Sequence, residues 1–190
     1  MTKFIFVLIS FGFLNTCAQQ KNNTMKTTIN SLDNLTNRSG ERPQTGPKIP
    51  HLQHTDNSSV ELFDELADWL FSLELIEERK TIISVRGARA AWIKEEYPNA
   101  NLDVLKTGRE FTHIHPLDIY GGGSQHLSLK REDCEKVIAR GWGEYHPLDY
   151  QIYPNKDYGH IMVYAPRNKE ELEAIKIITM ASYNLVTNQN

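Results

Sequence analysis

Cysteine occurs only twice in 190 residues, at Cys17 and Cys134, which excludes a disulfide framework and leaves no paired spacing for a zinc ribbon. Basic excess is missing too: the formal net charge is -3, so no cationic surface is offered and nucleic acid is not expected as a partner. Past residue 14 no apolar run reaches membrane length, and no basic amphipathic helix is present. A Rossmann glycine fingerprint and a serine-nucleophile elbow are both absent, which removes the sequence basis for nicotinamide or α/β-hydrolase chemistry. The triplet Gly121-Gly122-Gly123 runs into strand-like sequence with no Lys-Ser/Thr after it, so it reads as hairpin chemistry rather than a phosphate cradle.

What is present suits one globular domain: the hydrophobic fraction is 39% and the charged fraction 24%. Ahead of that domain, Lys3 and the apolar run from Phe4 to Leu14 have the charged start and short hydrophobic stretch of a signal peptide. Leu14-Asn15-Thr16-Cys17 resembles a bacterial lipoprotein processing box, in which Cys17 would carry the lipid; an ordinary signal peptide or retained anchor is the alternative. Residues 1–17 are therefore assigned to export, and residues 18–57, polar and proline-punctuated, to a disordered tether. On this reading the chain is an exported, membrane-anchored lipoprotein facing periplasm or cell surface, in contact with the membrane through its N-terminal lipid alone. A start at Met25 would instead leave it cytoplasmic. His51 and His54 fall in the tether and are expected to be exposed.

Residues 58–188 carry the folded pattern. Ser58 with Glu61 forms a capping box, followed by Leu62, Phe63, Leu66, Trp69, Leu70 and Leu73 at helical spacing. Ile82, Ile83 and Val85 mark a strand that continues irregularly to Ile93, with a bend at Gly87. Residues 94–108 form a loop. Further strands are expected around His113, His126 and His146 and from His160 to Arg167. Lys130 to Arg140 reads as a short helix stopped by Gly141, with Cys134 as a buried apolar group, and Asn168 with Glu171 caps a final helix. Helices and strands in this order predict an α+β domain, a mainly antiparallel sheet with helices packed on one face.

The chemistry concentrates in Arg109-Glu110-Phe111-Thr112-His113-Ile114-His115-Pro116. Side chains alternate along a strand, so His113 and His115 point the same way, while Glu110 points away from His113. His126, set against Leu127 and Leu129, belongs on the same sheet face if the strands are neighbours. Three imidazoles on one face are candidate metal ligands, His113, His115 and His126, for zinc or for iron with Glu110 or Glu144 supplying a carboxylate. Histidines beside prolines also serve as satisfied structural groups, which would make the chain a tethered binding or scaffolding module.

Four blocks in sequence tie these residues together: Arg109-Glu110 with His113 and His115; His126-Leu127 with Leu129; Gly141-Trp142-Gly143 with His146-Pro147-Leu148; and Tyr164-Ala165-Pro166-Arg167-Asn168 with Glu170-Glu171. Their order and spacing over about eighty residues resemble the luciferase domain of the fungal bioluminescence type, a family with many bacterial members. His160 lies outside the matching blocks and inherits no role. The resemblance implies an oxygenase with dioxygen as co-substrate and a small enolizable hydroxy-pyranone-like substrate, with or without light emission. It commits the chain to no cofactor, leaves a metal open and says nothing of oligomeric state. Under it, His113, His115, His126 and His146 are candidates for deprotonating the substrate, Arg167 or Arg109 for holding the oxyanion, and Trp142 and Tyr164 for a flat apolar wall.

Overall fold

The computed structural model describes residues 32–118 and 121–189. The expected signal peptide, Cys17 and the first part of the expected tether lie outside the described residues. Among the described residues no helix is long and apolar enough to cross a membrane.

The sheet has six strands, β1 (Ile76–Lys80), β2 (Arg89–Ile93), β3 (Glu110–Ile114), β4 (Gln125–Lys130), β5 (Gly143–Tyr145) and β6 (Tyr158–Val163). They lie in the order β1-β2-β3-β4-β6-β5, and every neighbouring pair is antiparallel. The helices are α1 (Val60–Phe71), α2 (Arg131–Ala139), α3 (Asp149–Ile152) and α4 (Lys169–Thr187). This is the single α+β domain expected from the order of elements.

Alternation along β4 and β6 decides where the core lies. Leu127, Leu129, Ile161 and Val163 turn to one side and pack with Leu66 and Leu70 of α1, Val137 of α2, and Leu172, Ile175 and Ile178 of α4. His126, Ser128, His160 and Met162 turn to the other. At the start of α4 the Asn168 side chain accepts from the Glu171 N–H, as the sequence predicts. At α1 the cap falls one residue later than expected: the Ser59 side chain accepts from the Leu62 N–H, while Ser58 Oγ donates to the Pro166 carbonyl. Ser58 is spent on a long-range bond, so the local cap passes to its neighbour.

Two expectations are corrected. The first strand is not the apolar run at Ile82, Ile83 and Val85, which lies in the β1–β2 connection with Ile82 64% and Ile83 45% exposed. It is the charged Ile76–Lys80, an edge strand that buries Ile76, leaves Glu77 half-buried and exposes Glu78, Arg79 and Lys80, where charge discourages pairing with another chain. The tether is the second. Residues 32–57 pack on the domain: Leu32 and Leu35 enter the core, Leu52 is buried, Trp142 Nε1 donates to the Thr36 carbonyl, and the Ala165 N–H donates to Gln53 Oε1. Three spaced leucines and a set of backbone partners anchor a segment too polar to fold alone.

Gly143 shows how tightly β5 sits on β6. A Cβ there would stand 2.3 Å from the Met162 carbonyl oxygen, a backbone atom that cannot turn aside. Gly143→Ala is expected to cost about 2–3 kcal/mol as overpacking. Thermal unfolding should fall by roughly 5–10 °C, and a fall under about 2 °C would show that β5 can shift freely.

Candidate functional site

Six histidines meet on the sheet face turned away from the main core. His113 lies directly opposite His126 in the β3–β4 pairing, with His113 Nε2 3.1 Å from His126 Nδ1. His115, one residue past β3, keeps strand-like pairing by donating its N–H to the Ser124 carbonyl, and its ring lies 5.2 Å from that of His113. His160 on β6 faces Ser128 across the β4–β6 pairing, and His146 is tied to it by donating its N–H to the His160 carbonyl. His126 is the hub, its ring centroid 4.8 Å from His146, 4.9 Å from His115 and 5.7 Å from His160.

The sixth is His51, expected to be exposed in the tether. It is 3% exposed, with Nδ1 3.2 Å from His126 Nε2 and Nε2 2.9 Å from Glu144 Oε1. Nothing local in its sequence signals this; only the packing of residues 32–57 brings it in. His160 was more legible, since the alternation of β6 opposes it to Ile161.

Glu110 does not point away from His113. Ala91 opposes Thr112 and Trp92 opposes Glu110, so Phe111 is an extra residue, a β-bulge. The bulge puts Glu110 and His113 on one face, and Glu110 Oε1 accepts from His113 Nδ1 at 3.1 Å. The same carboxylate accepts from Thr81 Oγ1 and the Ile82 N–H, at 2.8 and 2.9 Å. The β1–β2 connection is therefore a clamp on Glu110.

The electrostatics keep most of these rings unprotonated. Burial first, then neighbouring imidazoles, pushes His126 well below the usual histidine range, His115 and His160 down to about 3 and His146 to about 4. Burial alone would raise the Glu144 carboxyl, but bonds from His51, Thr45 and Tyr164 bring it below the usual range. Burial pushes the Cys134 thiol up to about 12, in keeping with a packing role.

A cavity of about 340 Å³ opens beside the cluster. Its lining includes His113, His126, His146 and His160, the apolar Val104, Leu105, Phe111 and Val186, and Lys106 and Tyr153. A smaller cleft of about 200 Å³ reaches His51 and His115 past Ile49 and Pro50. The other sequence candidates lie elsewhere. Arg109 donates to the Lys94 and Tyr97 carbonyls, and Arg167 pairs with Glu171 and the Ser39 carbonyl. Trp142 belongs to the core, and Tyr164 is buried with its OH donating to Glu144 Oε2. None of these four lines either cavity.

The antiparallel sheet thus gathers imidazoles, two carboxylates and a partly apolar cavity on one face, the composition of a candidate small-molecule site. Residues 108–182 match the family model described as the luciferase domain. Over 85 residues it is 39% identical to a luciferase of Armillaria ostoyae, 38% to one of Armillaria mellea and 36% to one of Neonothopanus nambi. These matches cover 45% of this chain and 31% of each relative, so the chain spans about a third of the length of those relatives. No solved structure matches the chain significantly.

Proposed function

We propose that the domain is an oxygenase that takes a small, flat, enolizable molecule of the hydroxy-pyranone class into the 340 Å³ cavity. The observation that carries this reading is the mixed lining of the cavity, four imidazoles together with aliphatic and aromatic side chains, in a chain similar over 85 residues to fungal luciferases. The apolar part accepts a ring and the imidazoles meet its acidic hydroxyl.

His160 is the best placed base. Its Nδ1 lies 3.0 Å from Ser128 Oγ, leaving Nε2 for the cavity. His146 has the opposite polarity: its Nδ1 accepts the Leu148 N–H, so the neutral ring carries its proton on Nε2 and donates to an oxyanion. The burial and mutual repulsion that oppose protonation of His160 are partly relieved when an enolate forms in contact with it. Lys106, on the cavity wall, supplies the cation. The enolate then adds dioxygen at a ring carbon and recovers the proton from the imidazole, giving a hydroperoxide with every atom accounted for.

An oxygen electrode with a panel of 3-hydroxy-pyranones tests this, whether or not light appears. His160→Ala and His146→Ala are expected to lower kcat/KM by about 10²-fold or more while remaining folded. No dioxygen uptake by the unaltered chain across the panel would overturn the reading.

A further inference from the structure

We propose that His113, His115 and His126 bind one divalent first-row transition-metal ion, with His51, Glu110 and Ser124 orienting them from behind. The site is shared with the oxygenase reading, but the proposal stands without it.

Hydrogen-bond partners fix which nitrogen of each ring carries the proton. Glu110 accepts from His113 Nδ1–H, which leaves a lone pair on His113 Nε2. Ser124 Oγ donates its own hydrogen to the Gly121 carbonyl, so it accepts from His115 Nδ1–H at 2.8 Å and leaves the lone pair of His115 on Nε2. Glu144, already accepting from Tyr164, accepts from His51 Nε2–H, so His51 Nδ1 accepts from His126 Nε2–H at 3.2 Å. That leaves the lone pair of neutral His126 on Nδ1.

Every outward nitrogen is now satisfied, and one contact is not. His113 Nε2 and His126 Nδ1 stand 3.1 Å apart with a lone pair on each and no hydrogen between them. Two like lone pairs at this distance in a buried site repel unless a cation lies between them. Nitrogens bonded to one ion at 2.0–2.1 Å, with angles between octahedral and tetrahedral, stand about 2.9–3.4 Å apart. The candidate ligand atoms of His113, His115 and His126 lie within 4.8 Å of one another, and all three residues are buried. Imidazoles whose far nitrogens donate to a carboxylate, a hydroxyl or a further acceptor are the usual outer support of a metal centre.

A second group, His51, His126 and His146, is as close-set but lacks the lone pairs. Its His146 accepts at Nδ1 and so presents Nε2–H. Three neutral nitrogens with no carboxylate among them suit Zn²⁺, Co²⁺ or Fe²⁺ and not Mg²⁺ or Ca²⁺. His113 and His126 also line the larger cavity, which is where an open coordination position would meet a substrate.

The test is to strip the full chain with a chelator and titrate it with Co²⁺ and Zn²⁺, following visible d–d bands, metal content and thermal unfolding. One ion per chain, with four- or five-coordinate Co²⁺ bands and a raised Tm, is expected. Ser124→Ala and Glu110→Gln should weaken Co²⁺ binding by about 10–100-fold, and His115→Gln by more. If a histidine variant does not fold, the unaltered chain and Ser124→Ala still decide. Failure of the unaltered chain to take up Co²⁺ or Zn²⁺ at micromolar concentration would mean that a proton alone fills the gap, and the proposal fails. Uptake unchanged by all three substitutions would place the metal elsewhere and also overturn it. Metal binding without dioxygen uptake removes only the oxygenase reading, whereas uptake by a chain that binds no metal removes only this one.

Discussion

Acidification from pH 7 to pH 4.5 is expected to cost the domain several kcal/mol and to bring it close to unfolding. Free histidine titrates near 6.5, whereas His115 and His160 in the folded domain are held down to about 3 and His146 to about 4, by burial first and neighbouring imidazoles next. Below pH 6.5 the unfolded chain therefore binds protons that the folded chain refuses. The sign follows: this stability is complete above about pH 6.5 and is lost as pH falls toward the folded values. Each such group removes about 1.4 kcal/mol per pH unit, against a total of about 5–15 kcal/mol for a domain. Three groups over two units are enough to dominate. The Glu144 and Glu171 carboxyls, each held below its usual range by hydrogen bonds that outweigh burial, act in the same direction below about pH 4.5. A bound metal would steepen the loss, since protons compete for the same lone pairs. Urea unfolding at a series of pH values measures it, and His146→Gln should remove up to one proton from the slope. A midpoint unchanged between pH 7 and pH 5 would show that these rings protonate in place.

Glu110→Ala should have the largest effect of any single substitution at the site. Its carboxylate accepts from Thr81 Oγ1, the Ile82 N–H and His113 Nδ1–H, and it is 4% exposed. Removing it strands three donors in the interior, where each unpaired group costs about 1–3 kcal/mol, for a total of about 3–5 kcal/mol once partial relaxation is allowed. The β1–β2 connection loses its anchor, and His113 is free to turn. Glu110→Gln keeps the volume and one acceptor oxygen but sets an amide NH₂ against donors, so a loss of about 1–2 kcal/mol is expected. The pair separates two roles. Chemical denaturation reports the fold, and dioxygen uptake or Co²⁺ binding reports the aim of His113. If Ala costs no more than Gln, the carboxylate is not a structural anchor.

Local chemistry made much of this legible from the sequence. Period-two alternation put His113, His115 and His126 on one face because successive strand side chains must alternate, and the pairing of β3 with β4 set them against each other as expected. The Asn168 cap, the stop at Gly141 and the buried Cys134 follow from rules that act within a few residues. Of the residues in the family blocks, His113, His115, His126 and His146 come together in the cluster, whereas Arg167 and Arg109 serve a helix start and a loop, and Trp142 and Tyr164 are packed away from the cavity.

Tertiary packing decided the rest, because those contacts join residues that no short-range rule relates. His51 reaches His126 across 75 positions, and it does so only because Leu32, Leu35 and Leu52 bury a segment whose composition is too polar to predict folding. The bulge at Phe111 reverses the facing of Glu110, since one inserted residue flips every side chain before it relative to those after it. Which way a strand residue points is settled by its immediate neighbours; which residues it meets there is settled by how the whole chain closes, and the site depends on the second.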